Sequence, residues 1–444
     1  MSVHPIEYRY GRKKVKEIFD EEFKLQCMLD VEAALVKALC EAGIAPKKDA
    51  GAVSSKAKTR HVTVERVKEI EDEINHDIMA VVKALSEQVP GHDKYIHYGA
   101  TSNDVIDTAQ SLQFKEYIKL LEQNLDELKK VLLHQAEENK RLVCVGRTHG
   151  QHAVPLTYGL KFALWACEIQ RHIDRLAEIK PRMLVGQMTG AVGTQAAFGR
   201  KGVGIQKSVM KTLGLNPVMV SNQVIQRDRH GEFFLYLALV SQSLNKFATE
   251  IRNLQRTEIM EVSEGFGKKQ VGSSTMPHKR NPIIAERVSG LSRVVKALGC
   301  GELDNLPLWH ERDLTNSSPE RAIFPEACIL TDYILQLSIN LFTNLVFHEE
   351  NIKRNLDLTQ GRIMAESVMI ALTEKGMPRQ EAHELVRGLS MKSYHSRRPL
   401  KEFLAASKEV TRHLDDLELA DAIDPGKYIG TSLHQINMVL KKLK

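Results

Sequence analysis

Cysteine is scarce and scattered. Cys27, Cys40, Cys144, Cys167, Cys300 and Cys328 form no Cys-x-x-Cys pair and no short Cys/His cluster of zinc-site spacing, so they are expected to be reduced, mostly buried thiols. No run of eighteen consecutive apolar residues occurs, and Met1-Ser-Val-His-Pro-Ile-Glu7 lacks the apolar core of a secretion signal. A soluble, cytoplasmic protein with no membrane partner is expected. There is no long basic block either. The surplus of 62 Lys and Arg over 56 Asp and Glu, a net charge of +6, is spread along the chain and argues against nucleic acid as a partner. Internal repeats and low-complexity segments are missing, and alternating strand patterns are few and short.

What the chain does have is ordinary globular composition, 43% hydrophobic and 27% charged, enough apolar material for a large core. Helical periodicity dominates. Between Phe23 and Glu41, the residues Leu25, Met28, Leu29, Leu35 and Leu39 share one broad face, followed by Gly43 and Pro46 as a stop. Similar patterns run from about Ala109 to Glu138, Thr157 to Ile179, Arg229 to Val262, Pro325 to Phe347 and Gly361 to Glu374. Several are long enough to run the length of a bundle. The expected fold class is mainly α, with three helical domains: 1–92 with shorter helices, 93–347 as a central long-helix bundle, and 348–444 as a helical carboxy-terminal domain. The stretch Phe233 to Phe247 is apolar on more than one face and calls for a partner beyond its own chain.

The densest chemistry lies in Gly272-Ser-Ser-Thr-Met-Pro-His-Lys-Arg-Asn-Pro282. Hydroxyls, backbone amides and a cation can converge there on one small anion. Two further blocks are His97-Tyr-Gly-Ala-Thr-Ser-Asn-Asp-Val-Ile-Asp107 and Gly146-Arg-Thr-His-Gly-Gln-His152, each more than a hundred residues from the first. Together, in this order, the three closely resemble the signature blocks of the fumarase/aspartase superfamily, whose members eliminate fumarate or a related acid from a succinyl-type substrate. The resemblance implies a fumarase/aspartase-like fold and a homotetramer on a shared helical core. Each active site would then be shared between subunits, one giving the His149 block, another the signature loop and a third the Thr101-Ser102 block.

Such an elimination needs two groups with opposite proton roles and fixed positive charge where the carboxylate gains electrons. By resemblance, Ser273 is the base, and Ser274, Lys279 and Asn281 hold the succinyl carboxylates. His149 matches the acid that protonates the leaving nitrogen, and a near-neutral pKa suits a histidine to that role. Thr101 and Ser102 would donate hydroxyls to a substrate carboxylate, and they are equally suited to capping a helix ahead of Val105.

Residues outside the shared signature select a branch. Tyr8-Arg-Tyr-Gly11 resembles the Arg-Tyr pair, and Asn75-His-Asp77 the His-Asp element, of the branch that acts on succinyl-purine nucleotides. Leu308-Trp-His-Glu-Arg-Asp-Leu-Thr-Asn-Ser-Ser-Pro-Glu-Arg321 is closer still. The resemblance assigns Arg9, Tyr10, Arg312, Ser317 and Arg321 to a nucleotide phosphate and neighbouring groups, and counts Asn75, His76 and Asp77 among the substrate-binding residues. It sets Gln223, in Ser221-Asn-Gln-Val-Ile-Gln-Arg-Asp-Arg-His230, against the succinyl part. Two guanidinium forks and a hydroxyl make a chemically sensible phosphate grip. Arg287 departs from the pattern, since some members have asparagine there. The implied reactions split adenylosuccinate into AMP and fumarate, and the succinyl-carboxamide ribotide into its carboxamide and fumarate. No metal and no organic cofactor are implied. A cycloisomerase acting on carboxymuconate, which shares a similar signature loop but binds no phosphate, is the nearest rival enzyme; argininosuccinate lyase fits the Thr101-Ser102 and Trp309 to Arg321 blocks less well, and a non-catalytic structural relative is an alternative of another class.

Overall fold

The computed structural model describes residues 3–267, 275–276 and 278–444. Among them, helices predominate and three two-stranded sheets are the only strand pairings. The elements that bear on the site are, in chain order, α1 (Glu21–Glu41), α2 (Val64–Ile74), α3 (Asp77–Glu87), α4 (Ser102–Glu138), strands β1 (Val143–Thr148) and β2 (Gln151–Thr157), α5 (Tyr158–Met183), α6 (Asp228–Leu254), α7 (Ile283–Gly301) and α8 (Ser317–Thr343).

Local chemistry sets their ends. Helix α1 starts where the Asp20 carboxylate accepts the Phe23 N–H at 2.8 Å, satisfying one of the orphan donors of its first turn. Helix α4 begins ahead of the expected Ala109, because the Asp104 side chain reaches back to the Thr101 N–H at 2.9 Å and closes a turn that apolar spacing does not mark. Helix α6 stops at Leu254, well short of the expected Val262. The chain turns there through Met260, whose φ is +43°, and Val262 instead pairs as a strand with Phe347. Helix α8 starts at Ser317 and carries Pro325 in its interior, so the proline that looked like a first residue is not one. By length and composition α8 could cross a membrane, but 67% of its apolar window is buried in the protein, as in a core helix.

The chain divides into two compact units. The first comprises Met1–Leu125, His172–Asn245 and Ser289–Gln336. One part of its core surrounds α1, where Leu25, Leu29, Leu35 and Leu39 pack with Ile78, Leu85 and Val209. Another is aromatic: Phe324 stacks on Phe234 at 4.8 Å and on His230 at 5.3 Å, with Phe114 edge-on to Phe233, Phe234 and Phe324. Burial makes His230 hard to charge, driving its pKa well down, and Arg227 and Arg229 add to that.

The second unit comprises Asp126–Arg171, Lys246–Val288 and Leu337–Lys444. Trp165 stacks on Phe247 at 4.8 Å, with Phe162 and Phe342 around them. Its carboxy-terminal helices close on Val368, Leu372, Val386, Leu389 and Leu404. Cys27, Cys144 and Cys328 are buried as expected, whereas Cys300 is exposed.

Candidate active site

In the first unit the site is built outward from a buried arginine. Arg227 grips Asp107 with two bonds of 2.9 and 3.0 Å and Glu320 with two more of 2.7 and 3.1 Å, and gives its remaining N–H to the Ile225 carbonyl at 2.8 Å. Every donor of the guanidinium is used. Burial alone would lower the Arg227 pKa, but the two carboxylates outweigh it and raise it. Since Asp107 is on α4, Glu320 in the first turn of α8 and Arg227 just before α6, this one side chain fixes three chain segments against each other.

The residues expected to bind substrate hang on this anchor. Asn103 donates to Asp107 at 3.2 Å, and its own side-chain oxygen accepts from Arg312. Arg312 also donates to Gln223 at 3.3 Å, and Gln223 is held from its other end by the Ala191 carbonyl at 2.9 Å. Burial lowers the Arg312 pKa, and the Arg227 charge adds to this against the pull of Asp107, Glu320 and Asp77. Arg321 is exposed and donates to Asp77 at 3.1 Å. Asp77, Arg312, Ser317 and Arg321 line one small cavity, so the structure brings most of the expected grip together within this unit.

Thr101 and Ser102 sit at the α4 start, half-buried, next to Asn103. The Asp104 carboxylate behind them accepts from the backbone of Thr101, Thr189 and Gly190 at 2.9, 2.8 and 2.9 Å. Other expected residues stay outside the cavity. Arg9 is exposed, its guanidinium 5.9 Å from the Tyr10 ring, and Tyr10 packs on Tyr333 at 5.8 Å. Asn75 is the left-handed cap that ends α2, with φ +54°, and His76 caps α3 by accepting the Met79 N–H at 3.3 Å. These two therefore have a structural role in joining α2 to α3.

In the second unit, β1 and β2 form a hairpin whose two-residue turn is His149-Gly150, with φ of +53° and +74°. Two positive φ values match the turn that twists with the strands, and a histidine held there is projected from a rigid tip. His149 is exposed. The ladder bulges between Val145 and Arg147, where a Cβ on Gly146 would lie 2.7 Å from the Val154 carbonyl oxygen. Below the tip, Arg147 pairs with buried Glu261, which also accepts from Tyr158 at 2.5 Å and Asn355 at 2.9 Å. The hairpin is thereby pinned.

Lys279 and Asn281 belong to the same unit, on the segment entering α7. Lys279 is exposed. Buried Glu264 accepts the Ile284 and Ala285 N–H groups at 3.1 and 2.7 Å and so caps α7; burial raises its pKa and those two amides oppose the rise. Lys279, Asn281, Arg252, Arg256 and Glu286 line a cavity of about 760 Å³. Ser273 and Ser274 lie outside the described residues.

Reading the sequence missed the anchor itself. Asn103, Asp107, Arg227 and Glu320 all lie inside quoted blocks, but nothing in a linear string pairs residues 107, 227 and 320.

Comparison with known proteins follows the same lines. Residues 7–297 match the Lyase family. A 3-carboxy-cis,cis-muconate lactonizing enzyme from Pseudomonas putida shares the fold with a TM-score of 0.90 at 32% identity, over 99% of this chain and 98% of its own. A fumarate lyase from Mesorhizobium sp. BNC1 does so at 0.89 and 31%, over 97% and 98%. The class is thus a helical lyase of the fumarase/aspartase type. Residues 361–439 match the adenylosuccinate lyase C-terminus. The adenylosuccinate lyase of Methanocaldococcus jannaschii is 54% identical over 100% of this chain and 96% of its own length, and that of Pyrococcus horikoshii 55% identical over 99% and 98%. The chain belongs to the adenylosuccinate lyase family.

Proposed function

We propose that the chain cleaves adenylosuccinate to AMP and fumarate, and the succinyl-carboxamide ribotide (SAICAR) to the aminoimidazole carboxamide ribotide (AICAR) and fumarate, as a C–N lyase of purine nucleotide biosynthesis. The observation that carries this reading is the convergence of Arg312, Ser317 and Arg321 on one cavity. A phosphorylated substrate needs such a grip, and a carboxymuconate does not.

In the proposed mechanism Ser273 removes the proton from the carbon beside the succinyl carboxylate. The C–H electron pair passes first into that carboxylate and then forms the carbon–carbon double bond as the C–N bond breaks. His149 gives the departing nitrogen its proton. Lys279, Asn281 and Ser274 hold the carboxylates, with Thr101, Ser102 and Gln223 completing the succinyl end. Fixed donors aimed at the charge that develops supply the largest part of the acceleration. The carbon acid is activated by the substrate's own carboxylate and these protein charges.

The working form is a cytoplasmic homotetramer whose active sites draw on several subunits. Supporting this, Leu235 and Leu239 lie one turn apart on α6 and are exposed at 37% and 47%, while Phe233, Phe234 and Leu237 beside them are buried. Three domains, 1–92, 93–347 and 348–444, accompany the reading. Fumarate release, followed by its ultraviolet absorbance with adenylosuccinate and with carboxymuconate as rival substrates, tests it. Turnover of carboxymuconate alone would replace the lyase reading with the cycloisomerase one, which the fold of the Pseudomonas putida enzyme also accommodates.

A further inference from the structure

Lys24 has no role in the site described so far. It lies in the first turn of α1, its N–H donating to the Asp20 carbonyl at 3.1 Å. A lysine there faces the positive end of the helix, which favours acids, so helix stability does not account for it. Its half-buried side chain lines the cavity of Asp77, Arg312, Ser317 and Arg321, and two adjoining cavities as well, one of about 140 Å³ walled by Leu25, Met28, Val67 and Ile78.

Among the described residues, the Lys24 ammonium takes part in no hydrogen bond and no ion pair. Of the acids whose charge reaches it, Glu21 pairs with Lys68 at 2.5 Å and Asp77 with Arg321 at 3.1 Å, and Glu71 makes no ion pair with it. Burial, followed by the Arg321 charge, lowers the Lys24 pKa against the pull of Asp77, Glu21 and Glu71. Four cations, Lys24, Arg227, Arg312 and Arg321, face the shared cavity with only two carboxylates, Asp77 and Glu320. Arg227 is fully taken up by Asp107 and Glu320, and Arg321 is matched by Asp77. The Arg227 cluster holds one acid more than it neutralises and so answers the neighbouring Arg312, which leaves Lys24 as the surplus cation. Arg312 already spends donors on Asn103 and Gln223, which leaves Lys24 beside Arg321 as the cation with no bond of its own.

We propose that Lys24 is a phosphate-binding residue of this site, its ammonium contacting the 5′-phosphate of the bound nucleotide beside Arg321. The inference rests on the nucleotide-lyase reading above and deepens it. A phosphate dianion suits the position because the Arg321–Asp77 pair brings no net charge of its own, so a second cation is required to hold it. The phosphate is remote from the C–N bond that breaks, so Lys24 contributes equally to ground-state and transition-state binding.

Calorimetric binding of AMP and of adenosine to the full-length protein tests this without turnover. Lys24→Met should weaken AMP roughly ten- to hundredfold and leave adenosine unchanged, the scale of one charge-assisted contact. Lys24→Arg should restore AMP binding to within a few-fold. With adenylosuccinate, Lys24→Met should raise KM and spare kcat. Lys24→Gln takes the place of the methionine variant if that protein does not fold. Unchanged AMP affinity, or equal losses for AMP and adenosine, would overturn the assignment. A wild-type protein that prefers AMP to adenosine in a Lys24-dependent way, but releases no fumarate from adenylosuccinate, would uphold Lys24 as a phosphate ligand while removing the lyase reading.

Discussion

Arg227 holds Asp107 in a two-pronged pair, 2.9 and 3.0 Å, at a point where both side chains are almost entirely out of water. Breaking a buried pair from one side leaves an uncharged gap opposite a carboxylate that has lost its hydration. Arg227→Met is therefore expected to cost about 3–5 kcal/mol of stability in urea unfolding. The exposed pair of Arg66 with Glu87, at 2.7 Å, provides the contrast: Arg66→Met should leave the urea midpoint nearly unchanged. Similar losses for the two variants would show that Arg227 does not anchor the segments that carry Arg312 and Ser317.

That anchor also marks how far the sequence could be read. Helix α1 was legible from Phe23 to its stop at Glu41, because apolar spacing is a local signal, whereas its first turn, set by the Asp20 cap, was not read. The end of α6 was not: the strand pairing of Val262 with Phe347 joins positions far apart in the chain, and only tertiary contact overrides the apolar run. Among the expected binding residues, Asp77, Arg312, Ser317 and Arg321 do meet in one cavity. Arg9 and Tyr10 lie apart from it, and Asn75 and His76 have capping geometry that a dipeptide match could not reveal. Lys24 was invisible for the opposite reason, since a lone lysine in an amphipathic helix reads as solvated surface until it is seen to line the cavity of Arg312, Ser317 and Arg321.

The two proton-transfer assignments predict distinct failures. Ser273→Ala should lower kcat by roughly a thousandfold or more while substrate still binds, because a lost base affects the transition state far more than the ground state. His149→Gln keeps a polar side chain but no transferable proton, so turnover should collapse and the limb of the pH–rate profile due to the acid should vanish. If the sites are shared between subunits, inactive Ser273→Ala and His149→Gln proteins, mixed and reassembled, should recover partial activity. Proven hybrids that stay inactive would place both groups on one chain.

Glu302 gives a pH-dependent prediction about stability. It is fully buried beside Glu320, with one oxygen accepting from Asn305 at 2.8 Å; burial first, and the Glu320 charge second, push its pKa up to about 8. The unfolded chain releases that proton near pH 4.3, the ordinary glutamate value. Between about pH 4.3 and 8 the folded state thus binds more protons than the unfolded, and stability must fall as pH rises, by up to roughly 1.4 kcal/mol per pH unit. Glu302→Gln removes the titration and keeps an acceptor for Asn305. Its unfolding midpoint should match the wild type near pH 4, exceed it increasingly up to about pH 8 and level off above; a constant difference across that range would mean that Glu302 does not carry the proton.

The pair of Arg321 with Asp77, 3.1 Å apart, bears on the choice between the nucleotide lyase and its cycloisomerase rival. If Arg321 turns from Asp77 to a phosphate, the enzyme must discriminate strongly against succinyladenosine, which leaves its cations unanswered. Charge-assisted contacts contribute about 1.5–3 kcal/mol each, so losing two or three of them should lower kcat/KM by roughly a thousandfold or more. Arg321→Met should narrow that gap by weakening action on the nucleotide much more than on the nucleoside. Asp77→Asn releases Arg321 from its resting partner but also gives up a charge near the ligand, so its effect should fall on KM for the nucleotide and spare kcat. Equal kcat/KM for nucleotide and nucleoside in the unaltered enzyme would deny the phosphate grip, and with it the feature that separates this chain's proposed chemistry from that of an enzyme with the same fold and no phosphate to hold.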